Sequence, residues 1–403
     1  MTNLPQGWEV KTLSEIGEIV TGSTPSKSNL DFYGKDYPFF KPSHFEQGYF
    51  LENAGDNLSK LGFGKARQLP PKTILVVCIG SLGKVALTKV IGSCNQQINA
   101  IIPHKNIISE YIYYYCISSK FQSILFSKAP QTTLAILNKT EFSKLEIIYP
   151  KDIKEQERIV GILDFAFSKI DENIKKAKEN LANIDELMQS ALQKAFNPLN
   201  DNTKENYQLP QSWEWKSLGD TSNYGKASQV KPSQLKGNDW ILELEDIEKE
   251  SGVLLQKVLF QDRQSKSNKI KFNKGDILFG TLRPYLKKVI IADDNGACSS
   301  EIMPFSTGNS ITNHFIYYYL FANFLHDRIS SLTYGARMPR LGTKDGKSLQ
   351  IPLPPLQEQE QIAEHLDFVF EKAKALKELY TKELKDYEEL KQSLLDKAFK
   401  GEL

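Results

Sequence analysis

The sequence repeats itself once, at a distance of about 203 residues. Residues 154–196 and 357–399 align without a gap and share 18 identities in 43 positions. A shorter repeat precedes each of them, Leu-Pro-Gln-x-Trp-Glu at residues 4–9 and 209–214. The stretches between these repeats, roughly 140 residues each, differ almost everywhere. A duplicated frame that holds two divergent inserts predicts two similar modules that bind different targets.

Composition places the chain among globular proteins. Hydrophobic residues make up 40% and aromatic residues 11% of its 403 residues, enough for packed cores. The four cysteines form no C-x-x-C pair, which disfavours a zinc site or a disulfide framework and favours a reducing compartment. The amino terminus lacks a signal-peptide pattern and no apolar run approaches about 18 residues, so we expect a soluble cytoplasmic protein with no membrane association.

The distribution of charge is more informative than its total of +2. Residues 154–196 carry a net charge of −1 and residues 357–400 carry −3, which leaves +6 for the rest of the chain. A basic bias in the inserts is compatible with nucleic acid binding there. Ordinary scatter of charge is the alternative explanation of a bias this small.

The long repeats are predicted to be helices, because prolines precede both and apolar residues recur at spacings of four and three. A helix of 43 residues is a rod of roughly 64 Å. One apolar stripe on such a rod needs a partner, so we expect the two helices to pair, with supporting helices as the alternative. The predicted seams are Ile159, Leu163, Ala166, Ile170, Asn173, Ala177, Asn180, Ile184, Leu187 and Ala191, and Ile362, Leu366, Val369, Ala373, Leu376, Tyr380, Tyr387, Leu390 and Leu394.

The inserts share an order of predicted elements. Strands at 73–79 and 276–279 are followed by turns and by further strands at 85–91 and 288–292. A tyrosine-rich helix follows in each insert, at 111–116 and 315–320. Consecutive tyrosines point in different directions on a helix, so we expect most of them to pack inside the module rather than to stack on bases.

The helix repeats remain most alike at their ends, where paired phenylalanines recur in the Leu-Asp-Phe-x-Phe segments. Two like surfaces predict two copies of one partner. The predicted partner-binding residues are Phe165, Phe167, Phe368 and Phe370.

These features together resemble the specificity subunit of a Type I restriction–modification system, along the whole chain. The resemblance rests on the paired Leu-Pro-x-x-Trp starts, the Glu-Gln…Leu-Asp-x-x-Phe helices and the Lys-Ala-Phe ends. The first insert adds Gly22-Ser23-Thr24-Pro25-Ser26, Asp31-Phe32-Tyr33-Gly34 and residues 79–86 (IGSLGKVA). The second insert lacks these patterns, which implies that the two modules read different bases.

The resemblance implies a mixed α/β fold with a pseudo-twofold repeat, in which two α/β target recognition domains are separated by two long antiparallel helices that form a coiled coil. The implied domains are module one at 1–150, a spacer helix at 151–198, module two at 199–355 and a second spacer helix at 356–403. The implied function is recognition of a bipartite, asymmetric site in double-stranded DNA. The implied partners are two methyltransferase subunits and, in a larger complex, motor-nuclease subunits. No cofactor is expected on this chain, because S-adenosylmethionine belongs to the methyltransferase.

Candidate DNA contacts are side chains on predicted loops that can fork to base edges or bind phosphates. In module one they are Lys27, Lys60, Lys65, Arg67, Ser81, Lys84, Gln96 and Gln131. In module two they are Lys226, Lys231, Lys236, Arg283, Tyr285, Lys287, Arg337 and Arg340. The loop from Arg337 to Arg340 is the strongest candidate for base reading, and for any one residue a solvated surface charge is the alternative.

Several catalytic patterns are missing from the sequence. It contains no G-x-x-x-x-G-K-[ST] phosphate loop and no H-E-x-x-H, and its five histidines are scattered. We therefore expect no catalytic residues and no metal site. The competing hypotheses are an enzyme, either a nuclease or a methyltransferase with an unrecognised centre, and a coiled-coil scaffold with no nucleic-acid role.

Overall fold

The structure, a computed structural model, describes residues 4–129, 135–201, 207–263 and 265–403. The chain divides into two compact units of nearly equal size. Unit 1 contains the residues up to Ala177 together with Thr381–Leu403, and unit 2 contains Lys178–Tyr380. Each unit thus combines one module with parts of both long helices, whereas the sequence suggested that the helices are segments of their own.

The first half of the sequence alternates short strands and helices and ends in a long helix. Its strands are β1 (Trp8–Thr12), β2 (Gly17–Thr21), β3 (Tyr33–Phe40), β4 (Phe50–Leu51), β5 (Asn57–Leu58), β6 (Ile74–Val77), β7 (Val85–Thr88), β8 (Ser93–Cys94), β9 (Ile98–Pro103) and β10 (Glu146–Pro150). Its helices are α1 (Leu13–Ile16), α2 (Lys60–Lys65), α3 (Ser109–Ile117), α4 (Ser119–Lys128), α5 (Lys139–Ser143) and α6 (Ile153–Phe196).

The second half repeats this plan. Its strands are β11 (Glu214–Ser217), β12 (Gln229–Val230), β13 (Trp240–Leu242), β14 (Lys269–Phe272), β15 (Ile277–Gly280), β16 (Val289–Ile291), β17 (Gly296–Cys298), β18 (Ile302–Phe305), β19 (Thr333–Tyr334), β20 (Arg340–Leu341) and β21 (Gln350–Leu353). Its helices are α7 (Leu218–Thr221), α8 (Phe260–Arg263), α9 (Asn313–Tyr319), α10 (Asn323–Leu332), α11 (Thr343–Lys347) and α12 (Leu356–Ala398).

The two modules share a common sheet. In module one, β6 lies between β7 and β9, and in module two β15 lies between β16 and β18, with every pair antiparallel. In both modules the first strand pairs with the last one, as β1 with β10 and β11 with β21. The central strands are buried along their whole length, which suits their continuous apolar sequences. The predicted order of elements is confirmed.

The remaining strands differ between the modules. In module one, β2 and β4 extend the common sheet, and β5, β3 and β8 form a second sheet. In module two, β12, β14, β17 and β13 form the second sheet, and β19 pairs with β20. We call the second sheet of each module, with the segments that connect its strands, the second lobe. The divergent sequences of the inserts therefore correspond to different second lobes on a shared framework.

The tyrosine-rich helices belong to the cores. Tyr111, Tyr114 and Tyr115 of α3 are buried in unit 1, and Tyr318 and Tyr319 of α9 are buried in unit 2. The prediction that these tyrosines pack inside the modules is confirmed.

The long helices run antiparallel within each unit. In unit 1, Arg158 donates to the carbonyl of Leu403 at 2.7 Å, and Lys391 donates to Asp171 at 2.5 Å. In unit 2, Lys377 pairs with Asp185, and Met188 packs with Ala373 in one apolar cluster. The predicted pairing of the two helices is confirmed by these contacts.

The predicted seams are wrong at several positions. Asn173, Leu187, Leu376 and Leu390 are exposed. Besides Gln156 and Val160 near its start, the buried positions of α6 are Ile159, Leu163, Phe167, Ile170, Ile174, Ala177, Ile184, Met188, Leu192 and Phe196. Steps of four outnumber steps of three, which is closer to the ~3.6-residue period of a straight helix than to a ~3.5-residue heptad. The reason is that the helix ends pack on the module cores as well as on each other.

Candidate nucleic-acid interface

Three loops of unit 2 converge beside the common sheet, and we call residues 281–287, 299–301 and 335–340 the converging loops. The amide of Thr281 donates to the carbonyl of Glu301 at 2.8 Å. The amide of Arg283 donates to the carbonyl of Pro339 at 2.7 Å. The structure therefore brings together four candidates that lie far apart in sequence, Arg283, Tyr285, Arg337 and Arg340.

The side chains on the converging loops face solvent in large part. Arg283, Tyr285 and Arg337 are exposed, and Arg337 lies in the loop between β19 and β20. Arg340 is partly exposed and its Nη2 lies 3.9 Å from Oε1 of Glu301. Forked cationic groups and a ring on one solvent-facing surface are the kind of groups that bind phosphates and base edges.

The backbone of the first loop is strained in a way that displays Arg283. Arg283 has a φ of 49° and Lys287 a φ of 47°, a left-handed conformation that costs side-chain-bearing residues of order 1–3 kcal/mol. Hydrogen bonds from Leu286 to Arg283 and from Lys287 to Pro284 hold the turn. The surrounding loops thus maintain a conformation that Arg283 would not adopt by itself.

Lys287 is a correction to the predicted set. Its side chain is buried and its ammonium donates to the carbonyl of Phe321 at 3.1 Å and to the side chain of Asn323. Burial lowers the pKa of Lys287. The turn directs this lysine into the protein, so it is removed from the candidate contacts.

The other candidates of module two lie on a different segment. Lys226, Lys231 and Lys236 are exposed on the stretch between α7 and β13, which includes β12. Lys231 and Lys236 lie between β12 and β13 of the second sheet, whereas Lys226 follows Gly225, which lies against Thr343 of α11.

Module one has the same arrangement of loops at residues 78–84, 94–97 and 135–137. The amide of Cys78 donates to the carbonyl of Gln97 at 2.8 Å, and the amide of Leu137 donates to the carbonyl of Cys78 at 2.9 Å. Ser81 and Gln96 are exposed on these loops. Gln131 lies outside the described residues.

The Gly-Ser-Thr-Pro segment of module one lies against the second of these loops. Thr24 donates its hydroxyl to Oε1 of Gln96 at 2.6 Å, and the amide of Ser23 donates to the carbonyl of Cys94 at 3.0 Å. A Cβ on Gly22 would lie 2.1 Å from the carbonyl oxygen of Asn95, so only glycine fits here.

Four of the five basic candidates of module one lie elsewhere on its surface. Lys27, Lys60, Lys65 and Arg67 are exposed beside the second sheet, on α2 and the segments around it. Lys84 is exposed near the common sheet, with its ammonium 3.7 Å from a carboxylate oxygen of Glu46. Lys84 shares the loop of residues 78–84 with Ser81, whereas Lys27, Lys60, Lys65 and Arg67 lie outside the three loops of module one.

The repeated phenylalanines of the helices have two different environments. Phe165 and Phe368 are 70% and 60% exposed. Phe167 is buried against Tyr114 with ring centroids 5.2 Å apart, and Phe370 packs on Tyr318 at 5.0 Å. The second phenylalanine of each pair therefore holds its helix on its own module, whereas the ring of the first is exposed.

The remaining residues of this repeat also have internal roles. Tyr114 donates its hydroxyl to Asp164 at 2.6 Å, and Tyr318 donates to Asp367 in the same way. Burial, followed by the hydrogen bond to Asp164, raises the pKa of Tyr114 far above its ordinary value. The Leu-Asp-x-x-Phe pattern thus mainly attaches each long helix to its own module.

Sequence reasoning missed two pairs of residues. Gln156 and Gln359, in the Glu-Gln start of each helix, are fully buried and anchor the helix to its module. Gln97 and Glu301 occupy equivalent positions in the loops of the two modules, where the carbonyl of each accepts a hydrogen bond from the residue after the central strand. The signal for the glutamines was present in the helix repeats, whereas Gln97 and Glu301 lie in the divergent inserts, where only the fold shows that they occupy corresponding places.

Two searches of the described residues gave negative results. No cluster of three or more histidine, cysteine, aspartate or glutamate side chains in those residues could hold a metal ion. In the same part of the chain, no helix combines the length and apolar character needed to cross a membrane.

A duplicated α/β module with exposed cationic and polar loops defines a two-module protein whose modules share a framework and differ in their surface groups. The sequence profile of the Type I restriction modification DNA specificity domain matches residues 5–183 and again residues 210–385. The chain therefore belongs to this family.

Individual relatives agree with this assignment. The chain is 39% identical over 176 residues to the HindI specificity subunit of Haemophilus influenzae, covering 42% of this chain and 38% of that one. It is 30% identical over 227 residues to the MjaIX specificity subunit of Methanocaldococcus jannaschii, covering 54% and 52%. These two matches span about half or less of the relatives' lengths. A match to the EcoDI specificity subunit of Escherichia coli is 24% identical but covers 99% of this chain and 89% of that one.

Solved structures share the fold. A chain from a type I restriction–modification system superimposes with a TM-score of 0.79 at 19% identity, covering 100% of both chains. The HsdS subunit from Thermoanaerobacter tengcongensis gives a TM-score of 0.55 at 20% identity, covering 99% of this chain and 98% of that one.

Proposed function

We propose that this chain is the DNA-recognition subunit of a Type I restriction–modification complex. In this proposal it reads a bipartite, asymmetric site in double-stranded DNA, one half with each module. The observation that carries the proposal is the equivalence of the loops in the two modules, which have the same backbone hydrogen bonds but different side chains. A shared frame with unlike surface groups suits the reading of two unlike half-sites.

The candidate DNA contacts fall into two classes under this proposal. Arg283, Tyr285, Arg337 and Arg340 stand on the converging loops and are the proposed contacts to base edges. The exposed lysines of the second lobes, together with Arg67, suit phosphate contacts that position the module without reading sequence. Ser81, Gln96 and Lys84 are the corresponding candidates near the common sheet of module one.

The long helices have two proposed roles. They set the distance between the half-sites, and they bind two copies of a methyltransferase subunit through Phe165 and Phe368. The exposure of these two rings supports the second role, since large exposed apolar side chains at equivalent positions mark a repeated protein contact. Motor-nuclease subunits would join in the larger complex.

The chemistry is proposed to lie on the partners. S-adenosylmethionine would bind to the methyltransferase subunit, and this chain would contribute no catalytic residue and no cofactor of its own. We place the complex in the cytoplasm, where DNA is accessible. The four cysteines, all free and buried, suit that reducing compartment.

Selection from a library of randomised DNA duplexes tests the proposal. The full-length chain, bound to the methyltransferase subunit of the same organism, should enrich a motif of two fixed parts separated by a fixed unspecified gap. Enrichment of no motif would favour the scaffold hypothesis. Transfer of labelled methyl groups to DNA by the chain alone, without its partner, would favour the enzyme hypothesis.

A further inference from the structure

We propose that Glu301 and Arg340 together read one G·C base pair in the half-site of module two. At the equivalent place module one has Gln97 and Ile136, and it reads no G·C pair there. This inference rests on the proposed function and specifies which chemistry each module recognises. It begins from the correspondence of the two loop frameworks.

In module two, three backbone contacts fix the place of this pair. The amide of Thr281 donates to the backbone carbonyl of Glu301 at 2.8 Å, and the amide of Leu341 donates to the carbonyl of Thr281 at 2.9 Å. Leu282 forms a β-bridge with Arg340. Glu301 and Arg340 therefore both lie beside the end of the central strand.

In module one, the same three contacts recur. Cys78 takes the place of Thr281. Its amide donates to the carbonyl of Gln97 at 2.8 Å, and its carbonyl accepts from the amide of Leu137 at 2.9 Å. Ile79 forms the β-bridge with Ile136. The backbone thus assigns Gln97 to the position of Glu301 and Ile136 to the position of Arg340.

The pair in module two is poorly explained as a stabilising ion pair. Its closest nitrogen and oxygen atoms are 3.9 Å apart, and the side chains of Arg340 and Glu301 are 34% and 38% exposed. An ion pair this exposed contributes little to stability. A carboxylate among the arginines of a DNA-facing surface would also be repelled by phosphates, so its presence there calls for a role in recognition.

A G·C pair supplies that role. Its edge in the major groove presents two acceptors on guanine and an amino donor on cytosine, side by side. An arginine forks to the guanine acceptors and a glutamate accepts from the cytosine amino group. Arg340 and Glu301 carry these two complementary groups within reach of one base-pair edge.

Module one carries no charge at the equivalent place. The amide oxygen of Gln97 accepts from Nδ2 of Asn95 at 2.7 Å, and Ile136 exposes 43% of its apolar side chain. An apolar side chain suits the methyl group of thymine rather than the acceptors of guanine. On the same framework, module two thus presents two charged side chains, whereas module one presents a neutral amide and an apolar side chain.

The test uses the full-length chain with its methyltransferase subunit and a duplex library with randomised half-sites. Glu301→Gln removes the acceptor charge, and Arg340→Lys keeps the positive charge but removes the fork. Glu245→Gln is the matched control. Glu245 also lies near an arginine of module two, with an oxygen 3.6 Å from Nη1 of Arg263, but it is outside the converging loops and is 77% exposed.

We expect the wild-type motif to contain a fixed G·C pair in one half-site. Each of the two loop variants should reduce discrimination at that pair roughly tenfold or more and leave every other position unchanged. The control should keep the wild-type motif. An unchanged motif in both loop variants, a change in the other half-site, or equal weakening for all sequences would overturn the inference. If the wild-type complex enriches no two-part motif, the proposed function itself fails.

Discussion

Gln156 and Gln359 make the same set of hydrogen bonds, at corresponding positions of the two long helices. The amide nitrogen of each donates to a proline carbonyl before its helix, at 2.9 Å to Pro150 and 2.8 Å to Pro354. The amide oxygen of each accepts from the backbone that leads into the tyrosine-rich helix, at 3.0 Å from Ile108 and 2.9 Å from Thr312. One buried side chain thus fixes the start of each long helix to its own module.

Replacing either glutamine with alanine should destabilise its unit. Gln156→Ala leaves the partly buried amide of Ile108 and the buried carbonyl of Pro150 without their partner, which costs about 1–3 kcal/mol. Chemical denaturation would measure the loss in the free energy of unfolding. Glu157→Ala, at the exposed neighbouring position, should change that free energy by no more than about 0.5 kcal/mol. Equal effects of the two variants would show that Gln156 is no anchor.

The paired phenylalanines should separate partner binding from stability. The double variant Phe165→Ala/Phe368→Ala should weaken association with the methyltransferase subunit while leaving the free energy of unfolding almost unchanged, because both rings are exposed. Phe167→Ala should cost about 3–5 kcal/mol of stability, because its ring is buried against Tyr114. Sedimentation with the partner and chemical denaturation measure the two effects. Undiminished association of the double variant would exclude the exposed rings as the partner surface.

How much the sequence could predict depends on the kind of feature. The duplication and the apolar strands predicted the shared order of strands and helices, and the tyrosines were correctly placed in the core. The seams failed where a heptad was assumed, because Ile174 packs into the core of unit 1 and Met188 packs with Ala373 of α12, whereas Asn173 and Leu187 are exposed. Periodicity along one helix carries no information about what lies beside it.

The candidate site shows the same limit. Arg283 and Arg340 could be chosen as loop cations, but their proximity arises from backbone contacts between distant segments. Lys287 could not be excluded from sequence, since only the left-handed turn shows that it points inward.

His326 should make the stability of unit 2 depend on pH. Burial lowers its pKa from an ordinary value of 6.5 to about 4, while its Nε2 lies 2.6 Å from the carbonyl of Leu320. Above pH 6.5 the ring is neutral in both folded and unfolded states. Between pH 6.5 and pH 4 the unfolded state binds the proton first, so stability falls as pH falls, by about 3 kcal/mol in all.

Denaturation of His326→Gln between pH 4 and pH 7 measures this contribution. The variant should lose less stability than the wild type over that range, because it lacks the buried ring that resists protonation. His365→Gln, on the exposed face of α12, should follow the wild-type curve. Parallel curves for wild type and His326→Gln would contradict the assignment.

Arg337→Ala should relax the preference for one or two base pairs in a single half-site. The expected cost is about 1–3 kcal/mol if the guanidinium forks to a base. Binding measured on a set of duplexes that differ by one base pair would reveal it. Lys249→Ala, an exposed lysine outside the converging loops, should leave the preferences unchanged. Weakening by the same factor for every duplex would make Arg337 a phosphate contact instead.

The most direct test of the two-module account is an exchange of residues 1–150 for the same module of another family member. The bound motif is then mapped by selection from a randomised duplex library, with the methyltransferase subunit present. We predict that one half of the motif changes while the other half and the gap stay as they were. A change in both halves, or in neither, would contradict the account.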